Sequence, residues 1–219
     1  MDAAPTLRIT EIFHSLQGES RSTGRPTVFV RLTGCPLRCG YCDTAYAFSG
    51  GELMTFEAIL DAVATHGARH VCVTGGEPLA QPGCLELLRR LAALPSLREV
   101  SLETSGALDV SAVDPRVVKV LDLKTPASGE CHRNLYTNLE HLTARDQIKF
   151  VVCDRADYEW ARLQIDQRSL TTRCDEVILS PSFGQLPPAD LAAWVLEDGL
   201  DVRVQVQLHK VLWGDEPGR

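Results

Sequence analysis

Short apolar runs rich in β-branched residues recur along this chain, and between them the apolar positions shift to helical spacing. Residues 7–13 (LRITEIF), 27–33 (TVFVRLT), 70–74 (HVCVT), 99–103 (EVSLE), 117–123 (VVKVLDL), 147–152 (QIKFVV), 176–180 (EVILS) and 202–207 (VRVQVQ) read as strands. A helix is predicted after Thr55, a hydroxyl N-cap, with Phe56, Ile59, Leu60 and Val63 on one face and Gly67 as its stop. A second covers about 84–93, with Leu85, Leu88 and Ala92 in register. A third starts at Asp154 and aligns Tyr158, Ala161 and Ile165, and a fourth opens at Pro187 and Pro188 and runs to about Glu197. The polar stretch 124–145, with Gly129, Asn134 and Asn138, has no regular period and reads as a long loop with one short helical piece.

Strands alternating with helices call for an α/β fold with a parallel sheet. A closed eight-fold barrel takes roughly 250 residues, more than the 219 available. The pattern therefore predicts an open, partial TIM-like barrel of about six parallel strands with few helices. No repeat, low-complexity tract or linker breaks the chain, so residues 1–219 are expected to form a single domain.

Composition narrows the partners. A net charge of -7 with no basic stripe argues against nucleic acid and leaves small molecules as the better class. No apolar run approaches the roughly 18 residues of a membrane span. The opening Met1-Asp2-Ala3-Ala4-Pro5 lacks a signal peptide's basic and apolar regions, so a cytoplasmic location is expected. Thiols stay reduced in that compartment, which argues against disulfides among the eight cysteines. Five of them (Cys72, Cys84, Cys131, Cys153, Cys174) are scattered without ligand spacing, and Cys72 and Cys153 lie in apolar strand-like runs as core fillers.

The other three are different. Cys35, Cys39 and Cys42 fall within eight residues as C-x3-C-x2-C, on a loop with Gly34, Pro36 and Gly40. A structural zinc site takes four protein ligands, and no fourth Cys or His lies nearby. Three thiolates holding a four-iron, four-sulfur cluster (4Fe-4S) would leave one iron open to another ligand. A zinc knuckle and chance clustering are the competing readings. About thirty residues on, Gly75-Gly76-Glu77-Pro78 follows another strand, where glycines let backbone approach a ligand closely.

Together these two motifs resemble the radical S-adenosylmethionine (SAM) enzymes, in which the open iron chelates SAM. The resemblance narrows with Phe13 to Ser20 (FHSLQGES), Gly24-Arg25-Pro26, Phe29 to Leu32, Cys42-Asp43-Thr44, Thr74 to Pro78, Glu103 to Gly106 and Gln207 to Lys210. From about residue 7 to 213 the chain is similar to the 7-carboxy-7-deazaguanine synthase family. That family contracts 6-carboxy-5,6,7,8-tetrahydropterin with loss of ammonia on the route to queuosine. The resemblance implies a lyase using a 4Fe-4S cluster, SAM and magnesium (Mg2+), a low-potential electron donor such as flavodoxin or ferredoxin, and a homodimer.

It also implies roles for particular residues. Leu16, Gln17, Gly18, Arg31 and Thr74 would meet the pterin, with Arg31 on its carboxylate, and Arg31, Glu19 and His209 would serve catalysis. Cys35, Cys39 and Cys42 would bind the cluster, and Thr44 the magnesium. SAM would lie against Tyr41, Cys42, Asp43, Gly76, Glu77 and Ser105, the run Asp122, Leu123 and Lys124, and the run Ser180, Pro181, Ser182 and Phe183. Alternating strand faces leave open whether Arg31 points inward or to solvent. Two other readings stand beside this one: a radical SAM activase of a glycyl-radical enzyme, which would not need the 16–19 loop, Arg31 or Thr44, and a non-catalytic metal-binding module.

Overall fold

The computed structural model describes residues 5–214, 216 and 218. Among the described residues, nine strands form one sheet in the order β3-β1-β2-β4-β5-β6-β7-β8-β9. They are β1 (Thr6–Leu16), β2 (Pro26–Leu32), β3 (Glu52–Thr55), β4 (His70–Gly75), β5 (Glu99–Thr104), β6 (Val118–Asp122), β7 (Gln147–Val152), β8 (Glu176–Pro181) and β9 (Arg203–Val204). From β2 to β9 every neighbouring pair is parallel, while β1 runs antiparallel to both β2 and β3. The sheet ends on β3 and β9 and does not close. The open parallel architecture read from the periodicity holds, with seven parallel strands and an antiparallel hairpin at one edge.

Among the described residues, five α-helices accompany the sheet: α1 (Phe56–Thr65), α2 (Cys84–Ala92), α3 (Arg155–Gln167), α4 (Pro188–Asp198) and α5 (Leu208–Trp213). Local chemistry explains their starts. The Thr55 hydroxyl accepts from the Ala58 N–H at 3.2 Å, and Asp154 accepts from the Asp157 N–H at 2.9 Å. Alternation divides the strands between two faces. Val28, Val30 and Leu32, then Val71 and Val73, and Ile148, Phe150 and Val152 point to one side. There they pack with Phe56, Ile59, Leu87, Leu91, Tyr158 and Leu191 of the helices. The opposite face lines the inside of the curve.

Four elements differ from the sequence expectation. The first strand extends past Phe13 to Leu16, because it pairs with β2 down to Leu16–Pro26. The four residues of β3 carry too little alternation to be read as a strand, and tertiary pairing with β1 makes them one. The run 202–207 pairs only at Arg203 and Val204, and the next six residues form α5. Segment 124–145 holds three short 3-10 turns, at Pro126–Ser128, Cys131–Arg133 and Tyr136–His141, in place of one. No helix among the described residues is long and apolar enough to cross a membrane.

Candidate active site

The inward side chains meet in a cavity of about 500 Å³ at the C-terminal ends of the parallel strands. That is where parallel α/β folds carry their ligands. Strand period 2 determines which residues enter it: Phe29 and Arg31 from β2, Thr74 from β4, Glu103 from β5, Val120 and Asp122 from β6, and Lys149 and Val151 from β7. Arg31 thus points inward.

The cysteine loop leaves β2 and folds over one side of this cavity. Gly34 N–H donates to Ala47 O at 2.8 Å and Gly40 N–H to Ser128 O at 3.0 Å, while Glu77 N–H donates to Gly34 O at 2.8 Å. The Arg38 guanidinium donates to the carbonyls of Cys35 at 2.7 Å and Leu37 at 2.6 Å. Cys35, Cys39 and Cys42 are half-buried, unbridged, and all line the cavity. Burial pushes the Cys35 and Cys39 thiols up, Cys39 to about 11. A metal must therefore displace protons on binding. Among the described residues no three His, Cys, Asp or Glu side chains are already gathered around one point. Holding a cluster requires the thiols to turn toward a common centre.

Gly76 lets this loop and the end of β4 touch. A Cβ there would lie 2.3 Å from Gly34 O and 2.8 Å from Cys35 Cβ. Its neighbour Glu77 is fully buried and is spent on structure. Its carboxylate accepts from Ser105 Oγ at 2.6 Å, Ser105 N–H at 2.7 Å, Thr104 Oγ1 at 3.0 Å and Leu79 N–H at 3.0 Å. The Gly-Gly-Glu-Pro turn is thereby pinned to the end of β5. Ser105 lines the cavity.

On the same side, Lys124 donates to Asp122 Oδ2 at 3.0 Å and lies 5.7 Å from the Tyr41 ring centroid. Burial opposes its charge, but the neighbouring acidic groups together, Asp122 foremost, push the ammonium up. Asp122 is correspondingly held below the usual carboxylate range, against its own burial, by Lys124 and Lys149. Its Oδ1 is buried without a hydrogen-bond partner among the described residues. An orphaned acceptor beside three thiols and an aromatic ring suits a ligand that brings N–H or O–H donors. Donor set, cavity size and orphaned acceptor all fit a cysteine-held cluster with an organic co-ligand.

Across the cavity, Gln17 Nε2 donates to Glu103 Oε1 at 3.2 Å, and Thr74 Oγ1 donates to Glu103 Oε2 at 3.1 Å. Burial and the neighbouring Glu19 push the Glu103 carboxyl up, against Lys149 and Thr74. Glu19 is clamped at both oxygens: Lys149 Nζ donates to Oε2 at 2.7 Å and Gln207 Nε2 to Oε1 at 2.9 Å. The Arg31 Nε donates to Glu11 at 2.7 Å, and Tyr46 OH donates to the same oxygen at 2.8 Å. Phe13 and Phe29 stack at 4.9 Å with 10° between their planes and form a flat apolar wall. Leu16 and Gly18 complete this side. The His209 ring packs against Gly18, where a Cβ would lie 2.0 Å from Nδ1. Thr44 Oγ1 donates to Asp43 Oδ1 at 2.9 Å. Burial opposes ionisation of Asp43, but that bond and the charges of Lys210, Lys149 and His209 hold its carboxyl low.

Most of the residues singled out from the sequence therefore share one cavity. Leu123 does not, being fully buried in the core, and neither Glu77 nor the run 180–183 is among the cavity's lining. Ser182 Oγ donates to Gln185 and Phe183 is 54% exposed, 5.9 Å below Lys210 Nζ. No local pattern in the sequence singles out Lys149, Glu11 or Tyr46. Glu103 and Gln207 stand out there only as parts of motifs. Strand alternation around Arg31 and Thr74 was the one signal that could have placed Glu103 and Lys149 inward.

Residues 29–159 match the family described as the Radical SAM superfamily. The chain is 46% identical to 7-carboxy-7-deazaguanine synthase of Koribacter versatilis, over 96% of this chain and 98% of that one. Identity to the Chlorobaculum tepidum protein of the same name is 44%, covering 99% and 98%. Among solved structures, QueE from Escherichia coli superposes with a TM-score of 0.76 at 26% identity, covering 93% of this chain and 95% of that one.

Proposed function

From the premise that the chain belongs to the 7-carboxy-7-deazaguanine synthase family of the radical SAM superfamily, we propose how its cavity serves that reaction. The substrate is 6-carboxy-5,6,7,8-tetrahydropterin and the product 7-carboxy-7-deazaguanine, formed by ring contraction with loss of ammonia. Cys35, Cys39 and Cys42 would hold the 4Fe-4S cluster. When bound, cluster and SAM together supply the one-electron chemistry that removes a substrate hydrogen. Tyr41, Asp43, Gly76, Ser105, Asp122 and Lys124 would face SAM, with the orphaned Asp122 Oδ1 as an acceptor.

The chain's own share is positioning and exclusion of water. Gln17, Glu103 and Thr74 form a connected polar group whose carboxylate suits the adjacent N–H donors of an aminopyrimidinone ring. The stacked Phe13 and Phe29 offer a wall for that planar ring. Arg31 spends its Nε on Glu11, which leaves the terminal nitrogens of the fork for the substrate carboxylate. The Thr44 hydroxyl donates a hydrogen bond to Asp43, which leaves its oxygen as an acceptor that would join the substrate carboxylate and waters around a magnesium ion. Glu19 and His209 would close the substrate side.

The observation that carries this reading is the meeting, in one cavity, of three thiols with the Gln17–Glu103–Thr74 group and Arg31. A low-potential one-electron donor, flavodoxin or ferredoxin by class, would reduce the cluster. Family likeness further points to a homodimer, expected as a solution mass near twice the chain's 24.0 kDa. The test is an anaerobic assay of cluster-reconstituted protein with reductant, SAM and the carboxytetrahydropterin. Deazaguanine product is expected; SAM cleavage without it would refute the substrate assignment.

A further inference from the structure

Lys149 sits on β7 among core residues, its neighbours Ile148 and Phe150 fully buried on the helix side. Its own side chain turns the other way, into the cavity, where the residue is 8% exposed. Burying an ammonium is costly even after relaxation, and well-packed apolar residues often replace buried ion pairs without loss of stability. A lysine held at this position calls for a positional reason.

Its partners supply one. The ammonium is 2.7 Å from Glu19 Oε2, across 130 residues of sequence, and 3.6 Å from Asp122 Oδ2. Glu19 follows Gln17 and Gly18 on the substrate-side loop, and its N–H donates to Gln17 Oε1 at 3.3 Å. Asp122 faces the cysteine side and takes Lys124 at 3.0 Å. A continuous line of contacts thus runs from Gln17 through Glu19, Lys149 and Asp122 to Lys124. Glu103 and Glu19 crowd the same region, and Lys149 is the cation that offsets both.

We propose that Lys149 is a positioning residue that locks the Gln17–Glu19 loop in its substrate-binding form and ties that loop to the SAM-facing Asp122. The assignment rests on the proposed roles of the cavity's two sides, one for pterin and one for SAM. Without this ammonium the Glu19 carboxylate would be left to the Gln207 amide, and like charge on Glu103 would drive it from its place. The substrate site would loosen. The cysteine loop, held by its own backbone bonds to Ala47, Ser128 and Glu77, would keep its geometry.

The experiment measures equilibrium binding of the carboxytetrahydropterin and of SAM to unreduced, cluster-loaded protein, for the wild type, Lys149→Met and Lys149→Arg. Lys149→Met is expected to weaken the pterin about tenfold or more, the scale seen when a supporting partner of a site is lost. It should also abolish any tightening of pterin binding by SAM. Iron content should stay at the wild-type level, and Lys149→Arg should bind the pterin close to wild type. A folded Lys149→Met protein with wild-type pterin affinity overturns the assignment. If Lys149→Met does not fold, Lys149→Met/Glu19→Gln removes the unmatched carboxylate. That protein is expected to bind the pterin as tightly as Glu19→Gln alone, and a further tenfold loss, which Lys149 would then cause without Glu19, overturns the assignment. Wild-type protein that binds SAM but no pterin would overturn the substrate reading itself, and this assignment with it.

Discussion

Gly76 has no room for a side chain. A methyl group there would meet the Gly34 carbonyl carbon at 2.6 Å and its oxygen at 2.3 Å, and backbone cannot rotate aside as a flexible side chain can. Gly76→Ala is therefore expected to push the cysteine loop off the end of β4. Iron retained after reconstitution should fall well below wild type while far-ultraviolet circular dichroism stays unchanged; full iron loading would count against the close-packing account. Cys39→Ala tests the cluster directly. With one of three thiolates gone, the visible absorbance of the cluster and SAM cleavage should both disappear. A protein that instead carries one zinc per chain, in wild type and variant alike, would contradict the cluster reading. The cysteine spacing and the Gly-Gly pair were legible in the sequence because both are local patterns. Lys149 was not. A lysine in a strand is ordinarily a solvated residue, and only its contact with Glu19, 130 residues away, gives it a role.

At the scale of elements, order in segment 124–145 comes from two asparagines in place of a regular period. Asn134 Nδ2 donates to Lys124 O at 2.9 Å, and its Oδ1 accepts from Lys124 N–H at 2.8 Å. Asn138, fully buried, donates to Gly106 O at 3.1 Å and Leu108 O at 2.8 Å and accepts from Val110 N–H at 3.1 Å. Asn138→Ala would take these bonds from Leu108 O and Val110 N–H, while Gly106 O keeps the Leu135 N–H at 3.0 Å, so a loss of about 2–3 kcal/mol is expected. In a chain of this size that corresponds to a melting temperature roughly 5–10 °C lower. Calorimetry showing no shift would mean water takes over these bonds. The β1–β2 hairpin likewise ends in a loop that folds inside the curve of the sheet. Arg21 binds Glu99 at 2.9 Å and Asp175 at 2.7 Å, and Gln205 Nε2 holds Ser20 O at 2.9 Å. The helix starts at Thr55 and Asp154 could be read from sequence, since a cap is a contact over three residues. Strand β3 and helix α5 could not, since pairing with β1 and the Leu208 N–H to Gly18 O bond of 2.9 Å are long-range.

Over the whole molecule, the chain's period-2 runs and helical stripes were sufficient for an α/β architecture with an open parallel sheet, and three clustered cysteines marked the loop at a strand's end as the candidate cluster site. These are properties of residue type and spacing, so they survive without coordinates. What only the folded structure decided is which polar groups meet. Arg31 faces inward onto Glu11, Glu103 joins Gln17 to Thr74, and Glu77 is buried as a brace for the β5 turn. Strand order and curvature bring those groups together from distant parts of the chain. In a low-dielectric cavity each buried charge must then find its partner there.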